Sequence, residues 1–331
     1  MNMNATSITY FIFLGFPSHS EVQILMFILL FSVYVISITG NCLIVVLTWT
    51  DIILHTPMYF FLKLLSFLEI CYISVTLPKM LHNLLSGDRT ISFSGCAVQM
   101  YFLLFLGTVE CFLLASMSYD RYIAICLPLH YATRMSKEVC INLTLASWLS
   151  GFFLPLVNTG WAFSLPYCDS NEINHFFCDF PPVLKLACVD TSLNELVMLV
   201  SSLVITLVPC IFILLSYIFI LGTVLRMTST KARQKVFSTC SSHLIMVIIF
   251  YGTASFMYLH PKSSYSMERD KFLSLLYTVL TPMLNPIIYT LRNTEVKKSL
   301  RSIGNKEQAY ISSLSLKRFV SSSLKKSRRR S

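Results

Sequence analysis

Long uninterrupted runs of apolar residues, separated by short polar connections, dominate this chain. Seven runs are long enough to cross a bilayer core of about 30 Å, which requires roughly 20 mainly apolar residues in a helix. They lie at about 23–49, 58–81, 97–119, 140–160, 196–225, 236–259 and 271–291. Their continuous apolar character favours helices over the alternating strands of a membrane barrel. The pattern therefore predicts an all-α membrane protein, a bundle of seven transmembrane helices.

Basic residues indicate how this bundle is oriented. Residues 1–22 contain no Lys or Arg, whereas the connection 226–235 holds four basic residues and no acid. From Arg292 onward there are 12 basic and 2 acidic residues. The charge of this segment, +10, equals the net charge of the whole chain. Because Lys and Arg concentrate on the cytoplasmic side of membrane proteins, we expect an extracellular N-terminus and a cytoplasmic C-terminus.

Composition narrows the function classes. The 331 residues are 55% hydrophobic and 13% charged, and the mean hydropathy is +0.66. These values exclude a disordered chain and most soluble enzymes, and they make the positive charge a signal of topology rather than of a nucleic-acid partner. The sequence shows no phosphate-binding Gly-rich loop, zinc-binding HExxH pair or nucleophile–base set, so we expect neither catalysis nor an organic cofactor.

Four parts follow from these patterns. We expect an extracellular N-terminal segment at 1–22 and a seven-transmembrane domain at 23–292. A short interfacial helix is expected at 293–303, followed by a basic, Ser-rich cytoplasmic tail at 304–331. The tail either binds anionic membrane lipids or stays solvated.

Two chemical features belong to the side predicted to be extracellular. Asn4 begins an N-glycosylation acceptor tripeptide, although such tripeptides also arise by chance. Four of the 11 cysteines lie at the outer end of the third run or in the long loop after the fourth. They are Cys96, Cys168, Cys178 and Cys188. Four cysteines in an oxidising compartment allow three pairings, and composition alone does not choose among them.

Six motifs in order connect the chain with a known family. They are Gly40-Asn41, LHTPMYFFL (54–62), MSYDRYIAIC (117–126), HFFCD (175–179), KVFSTCSSHL (235–244) and PMLNPIIYTLRN (282–293). Over residues from about 10 to 303 the chain resembles the class II (tetrapod-type) odorant receptors, within the rhodopsin-like G-protein-coupled receptors. It departs slightly from the usual MAYDRY motif, because Ser118 replaces the alanine.

This resemblance implies a receptor in the plasma membrane, specifically in the cilia of olfactory sensory neurons. It would bind a small, mostly apolar volatile molecule and activate the stimulatory olfactory-type G protein, which raises cyclic AMP. One alternative is a receptor of the same fold for a metabolite in another tissue. A transporter or channel is a second alternative, but the sequence shows neither internal repeats nor paired broken helices.

The resemblance also assigns the disulfides and the activation residues. It pairs Cys96 with Cys178, and Cys168 with Cys188. The activation residues that it implies are Asp120, Arg121, Tyr122, Tyr217, His243, Asn285, Pro286 and Tyr289. Arg121 would pair with Asp120 in the closed bundle and reach carbonyls of an inserted helix in the open one. A simple membrane anchor remains the alternative for Arg121, and an ordinary core histidine for His243.

Two acids lie deep in the apolar runs, where ionisable groups are costly and mark functional sites by default. They are Glu69 and Glu110. The resemblance implies a polar cluster with Asn285 that binds a sodium ion, and most relatives have Asp at the Glu69 position. The alternative is a protonated, hydrogen-bonded pair of carboxyl groups.

The ligand pocket is expected in the outer half of the bundle. Leu103 occupies the place where amine receptors carry an aspartate, which argues against an ammonium ligand. Helical spacing and the resemblance together give fourteen candidate lining residues. These are Met100, Leu103, Leu104, Gly107, Thr108, Met198, Ser202, Ile205, Tyr251, Ala254, Ser255, Tyr258, Leu275 and Thr278. Each of them has ordinary helix packing as its alternative explanation.

Overall fold

Seven long helices make up most of the protein in the computed structural model, which describes residues 8–17, 19–168, 170–258, 267–292 and 295–302. The side chains at 235, 256–258, 267–270 and 290–292 lie outside that description. The long helices are α1 (Ser20–Thr50), α2 (Pro57–Ser86), α3 (Phe93–Cys126), α4 (Lys137–Phe163), α5 (Ser192–Leu225), α6 (Thr230–Tyr258) and α7 (Met267–Arg292). All seven are long and apolar enough to cross a membrane, which confirms the predicted bundle.

Most helices are longer than the apolar runs, because their first and last turns contain polar residues. Helix α2 continues to Ser86, and Gly87 follows it in the left-handed conformation, with φ of 71°, that commonly ends a helix. Helix α3 begins after Ser92, whose hydroxyl accepts the Gly95 N–H at 3.1 Å. Such polar first and last turns carry no apolar signal, so hydropathy alone sets these boundaries too narrowly.

Helix α3 lies at the centre of the bundle, and the other helices face lipid with apolar side chains. It packs against α2, α4, α5 and α6, and side chains such as Val109 and Leu113 are fully buried. By contrast, α1 and α5 expose large apolar residues, with Leu25 68% and Val208 59% exposed. Such outward apolar faces are what a bilayer requires of a spanning helix.

A small β-sheet covers one end of the bundle, which we call the sheet end. It consists of β1 (Tyr10–Phe13), β2 (Thr90–Ser92) and β3 (Glu172–Ile173), in the order β2-β1-β3. Strand β1 runs antiparallel to β2 and parallel to β3. The alternation of β1 buries Phe11 and Phe13 beneath the sheet. The N-terminal segment is thereby joined to two loops, an arrangement that the sequence analysis did not predict.

Short helical segments complete the described chain. A 3₁₀ turn at Ile52–Leu54 joins α1 to α2, and a one-turn helix at Tyr131–Arg134 precedes α4. After α7, residues 295–302 are helical and bury Val296, at the position where an interfacial helix is expected. Asn4 and the tail at 304–331 lie outside the described residues.

Candidate functional site

The loop between α4 and α5 forms a lid over the sheet end. A disulfide bond joins Cys96 at the start of α3 to Cys178 in this loop, with the Cα atoms 5.5 Å apart. A second bond joins Cys168 to Cys188 within the loop, at a Cα separation of 5.9 Å. The backbone N–H of Cys178 also donates to Gln99 Oε1 at 2.9 Å. The lid is therefore held to the central helix by a covalent bond and a buried hydrogen bond.

Buried polar groups connect the lid with α7. His175 shares a 2.6 Å hydrogen bond with the hydroxyl of Ser274, and Lys271 Nζ donates to Asn174 Oδ1 at 2.9 Å. Burial lowers the pKa of His175 to about 4, because the charged imidazolium is poorly solvated there. Burial likewise raises the pKa of Asp179 to about 6, although this carboxyl accepts the Phe180 N–H at 2.8 Å.

A cavity of about 60 Å³ lies beneath the lid, between segments of α2 to α7 in the half of the bundle nearer the sheet end. Eight of the fourteen candidate pocket residues line it. They are Leu103, Leu104, Gly107, Thr108, Met198, Ser202, Ile205 and Ala254. The spacing of these residues on α3 and α5 therefore brings them to one space at the centre of the bundle.

The remaining candidates lie elsewhere. Met100 and Thr278 are buried and do not line the cavity. Ser255 and Leu275 are half-buried and do not line it either. Tyr251 donates its hydroxyl to the Cys111 carbonyl at 2.8 Å, so it ties α6 to α3 instead of facing this cavity. The side chain of Tyr258 lies outside the described part of the chain.

Eight further residues line the cavity, and sequence reasoning missed all of them. They are Tyr72, Cys111, Pro155, Asn158, Ser201, Thr206, Phe250 and Tyr277. Thr206 and Cys111 continue the faces of Ser202 and Gly107 at a spacing of four residues, so helical periodicity could have found both. Asn158 was also detectable, because a polar side chain within a spanning helix faces protein more readily than lipid.

The lining is mostly apolar, with a polar patch between α4 and α5. Asn158 Nδ2 donates to the hydroxyl of Ser201 at 3.2 Å, and the Ser202 hydroxyl lies one residue further along α5. Among the described lining residues none carries a formal charge. Such a site recognises a small ligand by shape and by one or two hydrogen bonds rather than by an ion pair.

The opposite end of the bundle holds Arg121 in a local ion pair. Its guanidinium contacts the neighbouring Asp120, with Nε 3.0 Å from Oδ2, and Asp120 is buried. Asp120 Oδ1 also accepts the hydroxyl of Tyr131 at 2.8 Å. Because the Asp120 carboxylate accepts from both Tyr131 and Arg121, it holds the Arg121 guanidinium in one orientation.

Arg121 borders a cavity of about 640 Å³ that opens between the ends of α2, α3, α6 and α7. His243 and Tyr289 also line this cavity. His243 shares a 2.7 Å hydrogen bond with the Tyr217 hydroxyl and a 3.1 Å bond with the Leu114 carbonyl. The histidine thus connects α6 with α5 and α3. The ring of Tyr122 instead packs against Phe219, with centroids 5.9 Å apart.

Two carboxyl groups meet at mid-bundle. Glu69 accepts a hydrogen bond from the Asn285 amide, and the Glu110 carboxyl lies against that of Glu69. Glu69 Oε2, Asn285 Oδ1 and Ser66 Oγ are buried without a hydrogen-bond partner. Two adjoining buried carboxylates require a shared proton or a cation.

The donor chemistry of this cluster fits a hard cation. Carboxylate, amide and hydroxyl oxygens are the ligands that such ions prefer. Among the described residues there is no group of three or more His, Cys, Asp and Glu side chains that could hold a metal ion. A proton shared by the two carboxyls satisfies the same geometry.

Comparisons with known proteins agree with one another. The family model described as olfactory receptor matches residues 30–306. Human olfactory receptor 10A7 is 52% identical over 298 residues, which cover 90% of this chain and 94% of that protein. Human olfactory receptor 10A2 is 53% identical over 281 residues, with 85% and 93% covered. Mouse olfactory receptor 5T17 is 49% identical over 300 residues, with 91% and 93% covered. The family model and these three relatives show that the chain belongs to the olfactory receptor family.

Proposed function

We propose that this protein is an odorant receptor that binds small, mostly apolar volatile molecules in the cavity beneath the lid. The observation that carries the proposal is the composition of this cavity, in a chain of the olfactory receptor family: an apolar lining, a hydroxyl-rich patch and no formal charge among the described lining residues. A ligand with few heavy atoms has little surface to bury, so its affinity is expected on the order of micromolar.

The proposed orientation places the sheet end outside the cell and the opposite end in the cytoplasm. Disulfide bonds at the sheet end support this, because they form in oxidising compartments. The basic connection 226–235 and the basic residues from Arg292 onward follow the other ends of α5 and α7. In this orientation we keep the proposed divisions after residues 22, 292 and 303. Asn4 is then open to glycosylation and the tail faces anionic lipid.

Ligand binding requires the cavity to expand. Its volume of about 60 Å³ is well below the roughly 300 Å³ or more of most small-molecule sites. A flexible side chain such as Met198 can repack around an irregular ligand. An odorant that fits the expanded arrangement better than the contracted one shifts the population toward it, and only this difference in affinity produces a response.

Coupling is proposed at the cavity that Arg121 borders. Release of Arg121 from Asp120 frees its planar group of donors for the carbonyls of an inserted helix from the G protein. The Tyr217–His243 bond links α5 to α6 beside this cavity, so an outward movement of α6 has to break or carry it. The partner proposed is the stimulatory olfactory-type G protein, which raises cyclic AMP in the cilia of olfactory neurons.

The mid-bundle cluster is proposed to stabilise the resting arrangement. Glu69, Glu110 and Asn285 would hold a sodium ion, which supplies positive charge between the two carboxyls. A shared proton is the alternative occupant of the same place.

An odorant panel on cells that express the full chain tests this function, with cyclic AMP as the readout and surface expression measured in parallel. We expect one or more apolar volatiles to raise cyclic AMP, and Arg121→Ala to abolish that response at equal surface expression. A full response from Arg121→Ala would contradict the coupling site. Ion flux through the purified protein in liposomes without a G protein would contradict the receptor function itself.

A further inference from the structure

A second large space lies at the end of the bundle opposite the sheet and opens toward the lipid. It is a groove of about 560 Å³ between the ends of α1, α2 and α4. It shares the α2 residue Tyr59 with the wall of the Arg121 cavity, but it is lined neither by Arg121 nor by residues of α6 and α7. The ligand and coupling sites described above make no use of it.

The groove is positively charged. Lys63, Lys137 and His55 line it, and no carboxylate is among the described lining residues. The ammonium of Lys63 lies 5.5 Å from the ring centroid of Trp49 and 5.8 Å from that of Phe60. Aromatic faces hold this cation in place and leave its hydrogen-bond donors available. The charge of the groove is therefore complementary to an anion.

The acids nearest to the groove in sequence, Asp51 and Glu138, are not among its described lining residues. Asp51, which precedes the 3₁₀ turn, accepts the backbone N–H of Ile53 at 3.0 Å and is outside the lining. His55 Nε2 lies 3.2 Å from the Trp49 carbonyl oxygen, which fixes the imidazole at the rim. Lys63 and His55 thus have defined positions around a space that Lys137 borders from α4.

The apolar surroundings point to a lipid rather than a soluble anion. Trp49 is 72% exposed and Ile52 is 81% exposed at the mouth of the groove, as expected of side chains inserted at a membrane interface. From the groove, Ile141 and Leu145 continue along one exposed face of α4 at a spacing of four residues. An occupant with an anionic head and apolar chains matches both the groove and this track.

We propose that the groove binds the phosphate headgroup of an anionic phospholipid, with Lys63 and Lys137 as the cationic contacts and an acyl chain along Ile141 and Leu145. The proposal rests on the proposed function in one respect: the orientation given above places the groove in the cytoplasmic leaflet. It concerns the helix bundle and is separate from any contact that the basic tail makes.

Native mass spectrometry of the full chain, released from nanodiscs of defined composition, tests the proposal. We expect phosphatidylserine or a phosphoinositide to be retained in preference to phosphatidylcholine. Since each lysine near a membrane surface contributes a similar increment of binding, Lys63→Gln with Lys137→Gln should weaken retention by roughly thirtyfold. Lys79→Gln, at the sheet end of α2, is the matched control and should retain the lipid as the unmodified chain does.

A charge-conserving control is the double variant Lys63→Arg with Lys137→Arg, which should retain the lipid as the unmodified chain does because it keeps both charges. Equal retention of anionic and neutral lipids, or a double Gln variant that retains as much as the unmodified chain, would overturn the proposal. Displacement of the lipid by millimolar inorganic phosphate would overturn it in favour of a soluble anion. Both nanodisc leaflets have the same composition, so these results are independent of the orientation, the odorant and the G protein.

Discussion

Asn41 in α1 donates a 2.9 Å hydrogen bond to the carbonyl of Pro282 in α7. That carbonyl cannot accept the usual helix bond from the residue four positions later, because this residue is Pro286, which lacks an N–H. Gly40 permits the contact, since a Cβ at this position would lie 2.8 Å from Pro286 Cβ. Two sequence motifs 240 positions apart, Gly40-Asn41 and the prolines of α7, are thus parts of one joint.

Asn41→Ala should destabilise the bundle by about 1–3 kcal/mol, because a buried carbonyl loses its donor. Thermal unfolding of the purified protein in detergent measures the loss. Cys42→Ala is the matched control, since Cys42 is exposed on the neighbouring face of α1. Equal melting temperatures for Asn41→Ala and Cys42→Ala would contradict this role.

Ser202→Ala should reduce the potency of alcohol and carbonyl odorants by roughly three- to tenfold, because the ligand loses one hydrogen-bond partner. Hydrocarbon odorants of similar size should keep their potency. The cyclic AMP concentration–response curve of each odorant gives the comparison. Ser150→Ala, at a half-buried position of α4 outside the cavity lining, should change neither class. An equal loss for both classes in Ser202→Ala would indicate a purely structural effect.

Tyr131→Phe should raise signalling in the absence of odorant by roughly two- to tenfold. The change removes the donor that orients Asp120, so the Asp120–Arg121 pair holds the resting arrangement less firmly. Basal cyclic AMP per receptor at the cell surface is the measurement. Thr133→Ala, an exposed change in the same short helix, should leave the basal level unaltered, and an unaltered level in Tyr131→Phe would rule out this restraint.

Asp179→Asn should make the lid sensitive to acid. The lowered pKa of His175, about 4, means that stability is lost as pH falls from its ordinary 6.5 toward 4. The raised pKa of Asp179, about 6, means that stability is lost as pH rises from its ordinary 3.8 toward 6. These opposing contributions largely offset one another in the unmodified protein. The Asp179→Asn variant keeps only the contribution of His175.

Melting temperatures at pH about 4.5 and about 7 measure this effect, and only the Asn variant should lose stability at the lower pH. Lys271 approaches His175 from α7 and favours its neutral form, and it is present in all proteins compared. Asp190→Asn serves as control, since this exposed carboxyl has a lowered pKa and titrates below the tested range. Parallel pH profiles for the Asp179 variant and the unmodified chain would refute the assignment.

The seven helices were predictable because lipid demands long apolar runs, and these remain visible in a single sequence. The α3 and α5 side of the candidate pocket was predictable for a related reason, since Leu104 and Thr108 on α3, like Met198 and Ser202 on α5, are four residues apart. Pro155 and Asn158 were missed because α4 otherwise has the composition of a lipid-facing helix. The partner of Asp120 was missed because Tyr131 belongs to a one-turn helix, which has too few residues for any periodicity.

The β-sheet could not be predicted from local pattern, and it has a consequence for biosynthesis. Strand β1 leaves the ribosome first, yet its residue Ile12 pairs with Glu172, which is made only after four helices. Strand β2 is made after two helices and can pair with β1 earlier, but the pairing of β1 with β3 has to wait until the lid is made. Contacts so distant in sequence form late and slowly, so closure of this sheet is a natural checkpoint at which an incompletely assembled chain can be distinguished from a finished one.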